Sequence, residues 1–151
     1  MSGAIEFFVA GNPATQGSKR MVRTRRGRTL MIDSCKRLKP WREQVAACAR
    51  AAGVRLIDGD VRVSIVARWA RPAAHRRKDG TLRPSASARA GKADCDKVAR
   101  AICDALAGVA YENDRQVAAL SVERVWCIDG EDEGATITVA TCPPCGLWSF
   151  S

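Results

Sequence analysis

Residues 61–70 alternate apolar and polar side chains, and this alternation constrains the fold of the chain more than any other feature. Because successive side chains of a strand point to opposite faces of a sheet, the pattern predicts a strand with one buried face. The apolar positions are Val61, Val63, Ile65, Ala67 and Trp69, and the polar positions between them include Arg62, Ser64 and Arg68. A half-buried sheet is therefore part of any fold that this chain adopts.

Two other segments have the apolar spacing of amphipathic helices. The first covers residues 40–52, with Trp41 and Val45 on its apolar side and Gly53 as its end. The second begins near Asp96 and ends at Gly108. Its apolar stripe consists of Val98, Ala101, Ile102, Ala105 and Leu106. The chain therefore combines helices with a sheet.

Further strands are predicted at residues 5–10, 116–128 and 135–141, and a hairpin tip is predicted at residues 26–28. We expect an α+β fold, with a mixed sheet of about four or five strands packed with two main helices. One domain should cover residues 1–141, and residues 142–151 should form a tail.

Composition excludes several classes of protein. Of the 151 residues, 46% are hydrophobic and 27% charged, and no run of about 18 apolar residues is present, so no membrane-spanning helix is expected. The N-terminus lacks the layout of a signal peptide. The seven cysteines are an odd number without a framework spacing, which favours reduced thiols in a cytoplasmic protein.

The net charge of +9 is distributed unevenly along the chain. Residues 1–92 contain 21 Lys and Arg against 6 Asp and Glu, whereas residues 93–151 contain 4 against 10. A basic part that leads into an acidic part indicates a polyanion-binding surface beside a cation site. A solvated arginine-rich face is the alternative.

Two basic segments are candidates for contacts with a nucleic acid. Such segments give phosphate affinity and steep salt dependence without reading bases, and the few aromatic residues argue against stacking on single strands. The second segment, residues 71–92, has no periodicity and is predicted to be a mobile loop in which His75 is solvated or close to a phosphate. The candidate DNA-binding residues are Lys19, Arg20, Arg23, Arg25, Arg26, Arg28, Arg71, Arg76, Arg77, Lys78, Arg83, Arg89 and Lys92.

Three carboxylates lie close to the second helix. Asp94 and Asp96 are at its start, and Asp114 follows its end. Aspartates at a helix start commonly cap free backbone N–H groups, and Asp114 alone is typical of a turn. Together they favour a site for a hard cation such as Mg²⁺, because clustered carboxylates repel one another unless a cation lies between them.

The order of these motifs resembles the RusA family of small dimeric Holliday-junction resolvases. The resemblance is carried by Asp94-x-Asp96, by a basic residue four positions later, by Asp104-Ala105-Leu106, and by Asp114-x-Gln116-Val117. The segment 8–13 followed by Gly17-Ser18-Lys19-Arg20 is similar to the opening strand and basic loop of that family. The resemblance covers approximately residues 5–139.

The resemblance implies a nuclease that binds four-way branched DNA as a homodimer and uses Mg²⁺, with Mn²⁺ as the alternative. Asp94, Asp96 and Asp114 correspond to the metal-binding aspartates. Arg100 stands where the family has an essential lysine, and it would contact a phosphate or form an ion pair with Asp104. Lys97 stands where the family usually has asparagine and is the other candidate for the catalytic positive charge.

Two other functions remain open at the level of sequence. One is a junction-binding protein without nuclease activity, which the replacements at Lys97 and Arg100 favour. The other is an interaction protein with a metal knuckle at Cys142 and Cys145, although a structural zinc site needs four ligands and no second pair with this spacing is present. An accessible tail is the simpler explanation for these two cysteines. The single histidine excludes an HNH-type nuclease.

Overall fold

The chain folds into a four-stranded mixed sheet, two helices and a separate two-stranded hairpin. A computed structural model describes residues 3–17, 19–33, 36–91 and 93–143, and for residues 19, 20 and 31–33 it describes the backbone only. The strands are β1 (Ile5–Ala10), β2 (Lys19–Arg23), β3 (Thr29–Asp33), β4 (Val61–Trp69), β5 (Val117–Trp126) and β6 (Gly134–Thr141), and the helices are α1 (Leu38–Ala51) and α2 (Cys95–Leu106). The α+β fold class expected from the sequence is confirmed.

The main sheet has the strand order β1-β6-β4-β5. β6 is antiparallel to both β1 and β4, whereas β4 and β5 are parallel, with Val63 beside Leu120 and Trp69 beside Trp126. Parallel neighbours need a long crossover connection, since a tight turn reverses the chain. Here the crossover contains residues 71–91 and α2, so that β5 is an edge strand beside this helix.

The two helices cover one face of this sheet. The alternation in residues 61–69 is confirmed, because every second side chain of β4 is buried, and Ile65 is only 1% exposed. α1 contributes Leu38, Trp41, Val45 and Ala49 to the same core, and α2 contributes Val98, Ala99, Ala101, Ile102, Ala105 and Leu106. Each methylene removed from water in this core stabilises the fold by about 0.8 kcal/mol.

Some element boundaries differ from those predicted. α1 begins at Leu38, so that Pro40 still lies in its first turn, where a missing N–H costs no hydrogen bond. β5 is shorter than expected, because residues 114–116 form a 3-10 turn before it. Leu120 lies on the same face of β5 as Val122 but is 49% exposed, since it lines a cleft.

Residues 71–91 are more ordered than the sequence indicates. They include a 3-10 helix at Ala73–His75 and a bridge between Arg76 and Leu82. Trp126 at the end of β5 holds the segment, because its Nε1 donates to the carbonyl of Ser87 at 3.1 Å and its ring packs edge-on against His75. His75 is therefore half-buried and packs edge-on against an indole, so it is not a fully solvated side chain. A position close to a phosphate stays a prediction.

The predicted hairpin at residues 26–28 is confirmed as the tip between β2 and β3. The N–H of Thr24 donates to the carbonyl of Arg28 at 2.8 Å, and Gly27 adopts a φ of 77°, which glycine tolerates best. This hairpin is not hydrogen-bonded to the main sheet. Its placement therefore depends on the segments at its two ends, which connect it to β1 and to α1.

The described ranges contain five cysteines. All five are free thiols and half-buried. They are Cys48, Cys95, Cys103, Cys127 and Cys142. Cys35 and Cys145 lie outside the described residues. Neither helix in the described ranges is long and apolar enough to span a bilayer.

Gly134 begins β6 at a point of very close packing, and replacing it should destabilise the fold. A Cβ on Gly134 would lie 2.2 Å from the carbonyl oxygen of Val9 and 2.5 Å from the ring of Phe8. We expect Gly134→Ala to lower the free energy of unfolding by about 2–4 kcal/mol, measured by urea denaturation. Gly91→Ala is the control, because no atom lies within 4 Å of its Cβ position. An equal loss in the two variants would contradict this explanation.

Candidate active site

A cleft of about 360 Å³ runs between α2 and the beginning of β5. It combines acidic, basic and apolar side chains in one exposed surface. The lining residues are Asp96, Ala99, Arg100, Cys103, Asp104, Asp114, Val117 and Leu120. The structure thus brings two of the three predicted metal ligands, Asp96 and Asp114, to one cleft with Arg100.

The carboxylates of this cleft are spread along α2. Asp96 is in the first turn, and Asp104 is eight residues later, which corresponds to a rise of about 12 Å. Asp114 lies at the Asp104 end, where both carboxylates act on Cys103 and Tyr111. In the described ranges, no three His, Cys, Asp or Glu side chains lie close enough together to hold one metal ion. The separation along the helix explains this.

Asp94 occupies the N-cap position of α2 but its side chain makes no capping hydrogen bond. Instead, its Oδ2 forms an ion pair with Lys97 Nζ at a distance of 3.1 Å. Asp94 does not line the cleft with Asp96 and Asp114. The capping explanation of this residue is therefore right about its position and wrong about its contact.

Arg100 lies between the cleft and the segment that precedes the hairpin. In the part of the chain that the structure describes, it forms no ion pair, and Asp104 contacts other residues. Its guanidinium passes so close to Gly17 that a Cβ there would lie 2.8 Å from Nη1. Gly17 thus leaves the space in which a free positive charge stands at the edge of the cleft.

Asp104 is a site residue that the sequence alone did not identify. Its Oδ2 accepts a hydrogen bond from Gln16 Nε2 and lies 3.8 Å from Arg42 Nη1. Arg42 Nη1 also donates to Gln16 Oε1 at 3.3 Å. The three residues come from a loop and two helices, so spacing along the sequence gives no sign of this cluster.

Gln116 organises the turn that carries Asp114. Its Oε1 accepts hydrogen bonds from the backbone N–H groups of Glu112 and Asn113, at 2.9 and 3.1 Å. Its Nε2 donates to the carbonyls of Ile57 and Gly59. The glutamine of the Asp114-x-Gln116 motif therefore fixes the turn to the loop before β4, and this fixes Asp114 at the cleft.

Two other polar groups at the Asp114 end of the cleft stay protonated. Burial raises the pKa of the Cys103 thiol, and the charges of Asp114 and Asp104 raise it further. Burial also raises the pKa of Tyr111, whose hydroxyl donates to the carbonyl of Cys103 at 2.6 Å near the end of α2. At neutral pH neither group can act as a general base.

The predicted DNA-binding residues fall into three groups. Arg71 and Arg76 are half-buried and held by the protein: Arg71 lies over the Trp126 ring, and Arg76 pairs with Asp129 at 2.9 Å. The side chains of Lys19 and Arg20 and the whole of Lys92 lie outside the described part. The exposed members are Arg23, Arg25, Arg26, Arg28, Arg77, Lys78, Arg83 and Arg89.

The metal knuckle predicted as an alternative is only partly described. The Cys142 N–H donates to the carbonyl of Asp60 at 2.7 Å, which continues the pairing of β6 with β4 by one residue. Cys145 lies outside the described residues. The knuckle therefore stays a prediction.

The donor set of the cleft fits a hard cation. Asp96 and Asp114 are exposed carboxylates, and in the described ranges neither side chain has a hydrogen bond or an ion pair. Mg²⁺ prefers oxygen ligands, keeps several waters and binds through one or two carboxylates together with substrate phosphates. Asp96 and Asp114, which stand apart along the cleft, can therefore each hold a cation that a substrate phosphate helps to bind.

We expect Gln116→Ala to lower the free energy of unfolding by about 1–3 kcal/mol, because it leaves two carbonyls and two N–H groups without their partner. Urea denaturation measures this loss. Gln44→Ala is the matched control, since Gln44 makes one exposed hydrogen bond, to the carbonyl of Ala10. If both variants lose the same stability, Gln116 does not organise the turn.

The family model described as "Endodeoxyribonuclease RusA" matches residues 10–140 of the 151 residues, which includes the cleft, both helices and the hairpin. No curated protein sequence matches the chain. That the domain ends at residue 141 and a tail begins at residue 142 stays a prediction. The chain belongs to the RusA family of Holliday-junction-resolving endonucleases, and it is an endodeoxyribonuclease, a hydrolase that acts on DNA.

Proposed function

We propose that this protein is a structure-selective nuclease of a phage or prophage that depends on Mg²⁺ or Mn²⁺. It resolves four-way DNA junctions by paired symmetric nicks and acts as a homodimer. The observation that carries the proposal is the single cleft lined by Asp96, Asp114 and Arg100, the last of which forms no ion pair within the described residues. The dimer follows from the substrate, because a junction with two-fold symmetry requires two matched cuts.

Asp94, Asp96 and Asp114 would hold one or two cations. Asp94 would join Asp96 once its carboxylate is released from Lys97, and Asp114 would hold its own ion at the other end of the cleft. When bound, such a cation would supply a nucleophilic water at neutral pH and neutralise charge on the phosphate and the departing 3′-oxygen. The products are a 5′-phosphate and a 3′-hydroxyl.

Arg100 would bind a non-bridging oxygen of the scissile phosphate. It has no ion-pair partner in the described ranges, and an arginine guanidinium presents a planar fork of donors that matches phosphate oxygens. Lys97, by contrast, has its ammonium 3.1 Å from Asp94. We therefore assign to Arg100 the role that the family gives to a lysine, and to Lys97 the holding of Asp94.

The exposed basic residues of the hairpin and of residues 77–89 would bind DNA phosphates on either side of the cleft. These contacts place a branched duplex by its backbone and not by its bases. Because each contact to a phosphate releases counterions, the affinity for DNA should fall as the salt concentration rises.

A junction-binding protein without nuclease activity is the second candidate. The separation of the carboxylates along α2 and the Lys97–Asp94 ion pair favour it, because both keep the aspartates apart. This candidate predicts junction binding that does not depend on Mg²⁺.

A labelled four-way junction and a matched linear duplex test the proposal directly. We expect paired nicks in the junction with Mg²⁺, none with EDTA, and at least about a 100-fold loss of rate for Asp96→Asn and for Asp114→Asn. Glu43→Gln, an exposed carboxylate of α1, is the control for the change in charge. Junction binding without nicks, with Mg²⁺ or Mn²⁺ present, would establish the second candidate instead.

The roles of the two basic residues separate in a kinetic comparison. Arg100→Ala should lower kcat by about 10²–10³-fold, as the removal of a charge-stabilising donor does, and Arg100→Lys should recover part of the loss. Lys97→Ala should have a smaller effect, because Lys97 contacts Asp94 and not substrate. A larger loss of kcat in Lys97→Ala than in Arg100→Ala would reverse the assignment.

A further inference from the structure

The β2–β3 hairpin has few means of fixing its own position. It forms a two-stranded sheet apart from the main sheet, and a two-stranded hairpin is marginally stable alone in water. Its tip carries Arg25, Arg26 and Arg28, all exposed. Whatever holds its base therefore decides where these charges stand relative to the cleft.

The base of the hairpin, residues 13–17, lies along α2. Ala14 is fully buried, and the backbone N–H of Gln16 donates to the carbonyl of Lys97 at 3.1 Å. Gly17 then packs against the guanidinium of Arg100. Lys97, Arg100 and Asp104 follow one another at helical spacing, so this stripe of α2 faces the hairpin base. Arg100 and Asp104 also line the cleft, beside Asp96 and Cys103.

A cluster of side-chain contacts between Gln16, Arg42 and Asp104 connects this base to α1 and α2. Gln16 uses both ends of its amide, because Nε2 donates to Asp104 and Oε1 accepts from Arg42. Arg42 and Asp104 lie 3.8 Å apart, and their side chains are 36% and 30% exposed. At this exposure an ion pair contributes little to stability, so the cluster has another use: it ties a loop, α1 and α2 to one another.

We propose that Gln16, Arg42 and Asp104 are positioning residues that hold the basic hairpin at a set place beside the catalytic cleft. The proposal rests on the function proposed above, since it assigns the hairpin to DNA. Asp104 lines the cleft but acts through Gln16, and it is not a ligand of the cation. A phosphate bound by the hairpin is then held at a constant distance from Arg100 and Asp96.

Asp104 offers a sharp distinction between positioning and metal binding. Asp104→Asn keeps an oxygen that can accept from Gln16 Nε2, whereas Asp104→Ala removes it. A positioning role predicts near-normal nicking for Asp104→Asn and, for Asp104→Ala, a KM raised by about tenfold with a smaller change in kcat. If both variants lose nicking equally and require more Mg²⁺, Asp104 is a metal ligand and the proposal is wrong.

Hydrogen exchange of the hairpin amides provides a readout that does not depend on catalysis. In Gln16→Ala and in Arg42→Met, exchange within residues 19–33 should be about tenfold faster while core amides of β4 stay unchanged. The double variant should be no faster than either single one, because both changes break the same cluster. Arg50→Met is the control, since Arg50 is an exposed arginine in the last turn of the same helix.

The outcomes separate the two proposals. Unchanged hairpin exchange in Gln16→Ala and Arg42→Met would overturn the positioning role, whether or not the wild-type protein nicks junctions. If the wild type binds junctions without nicking, the nuclease proposal fails, and faster exchange together with weaker junction binding in these variants still supports the cluster. If Arg50→Met accelerated hairpin exchange as much as Arg42→Met, loss of positive charge alone would explain the effect, and the positioning role would be overturned.

Discussion

Parallel pairing of β4 with β5 determines where every group of the cleft lies, because parallel neighbours must be joined by a chain that returns across the sheet. In this protein the return path is α2, which runs beside β5 in the opposite direction. The start of α2 is therefore near the end of β5, and the turn after α2 is near the start of β5. Asp96 and Asp114 are close to opposite ends of this one helix, which is why the cleft is elongated.

Much of the fold follows from local patterns in the sequence. The alternation from Val61 to Trp69 and the apolar stripe of α2 predict their elements because burial on one face acts residue by residue. The sequence was less informative where distant side chains decide the structure. Residues 71–91 have no regular pattern of apolar residues. Their ordered structure depends on contacts of Ser87 and His75 with Trp126, which is distant in the sequence.

The site was predictable to a similar extent. Asp96, Asp114 and Arg100 were recognised from their motif, and the structure brings them to one cleft. Asp94 belongs to the same motif, but its ion pair with Lys97 depends on side-chain conformations that residue spacing does not specify. Asp104 could have been noticed as the acidic residue of the Asp104-Ala105-Leu106 motif. Its contacts with Gln16 and Arg42 could not, since they join three separate parts of the chain.

The crossover between β4 and α2 leaves and returns at the same end of the sheet. It departs after Trp69, and it is tied on its way back through Trp126 to Ser87 and through Arg124 to Ala93. Residues 77–86, which precede both ties and contain no buried side chain, can change in length or charge without moving α2, because they contribute nothing to the core. Homologous chains can therefore differ in the length and charge of residues 77–86 while the spacing of Asp96 and Asp114 stays constant.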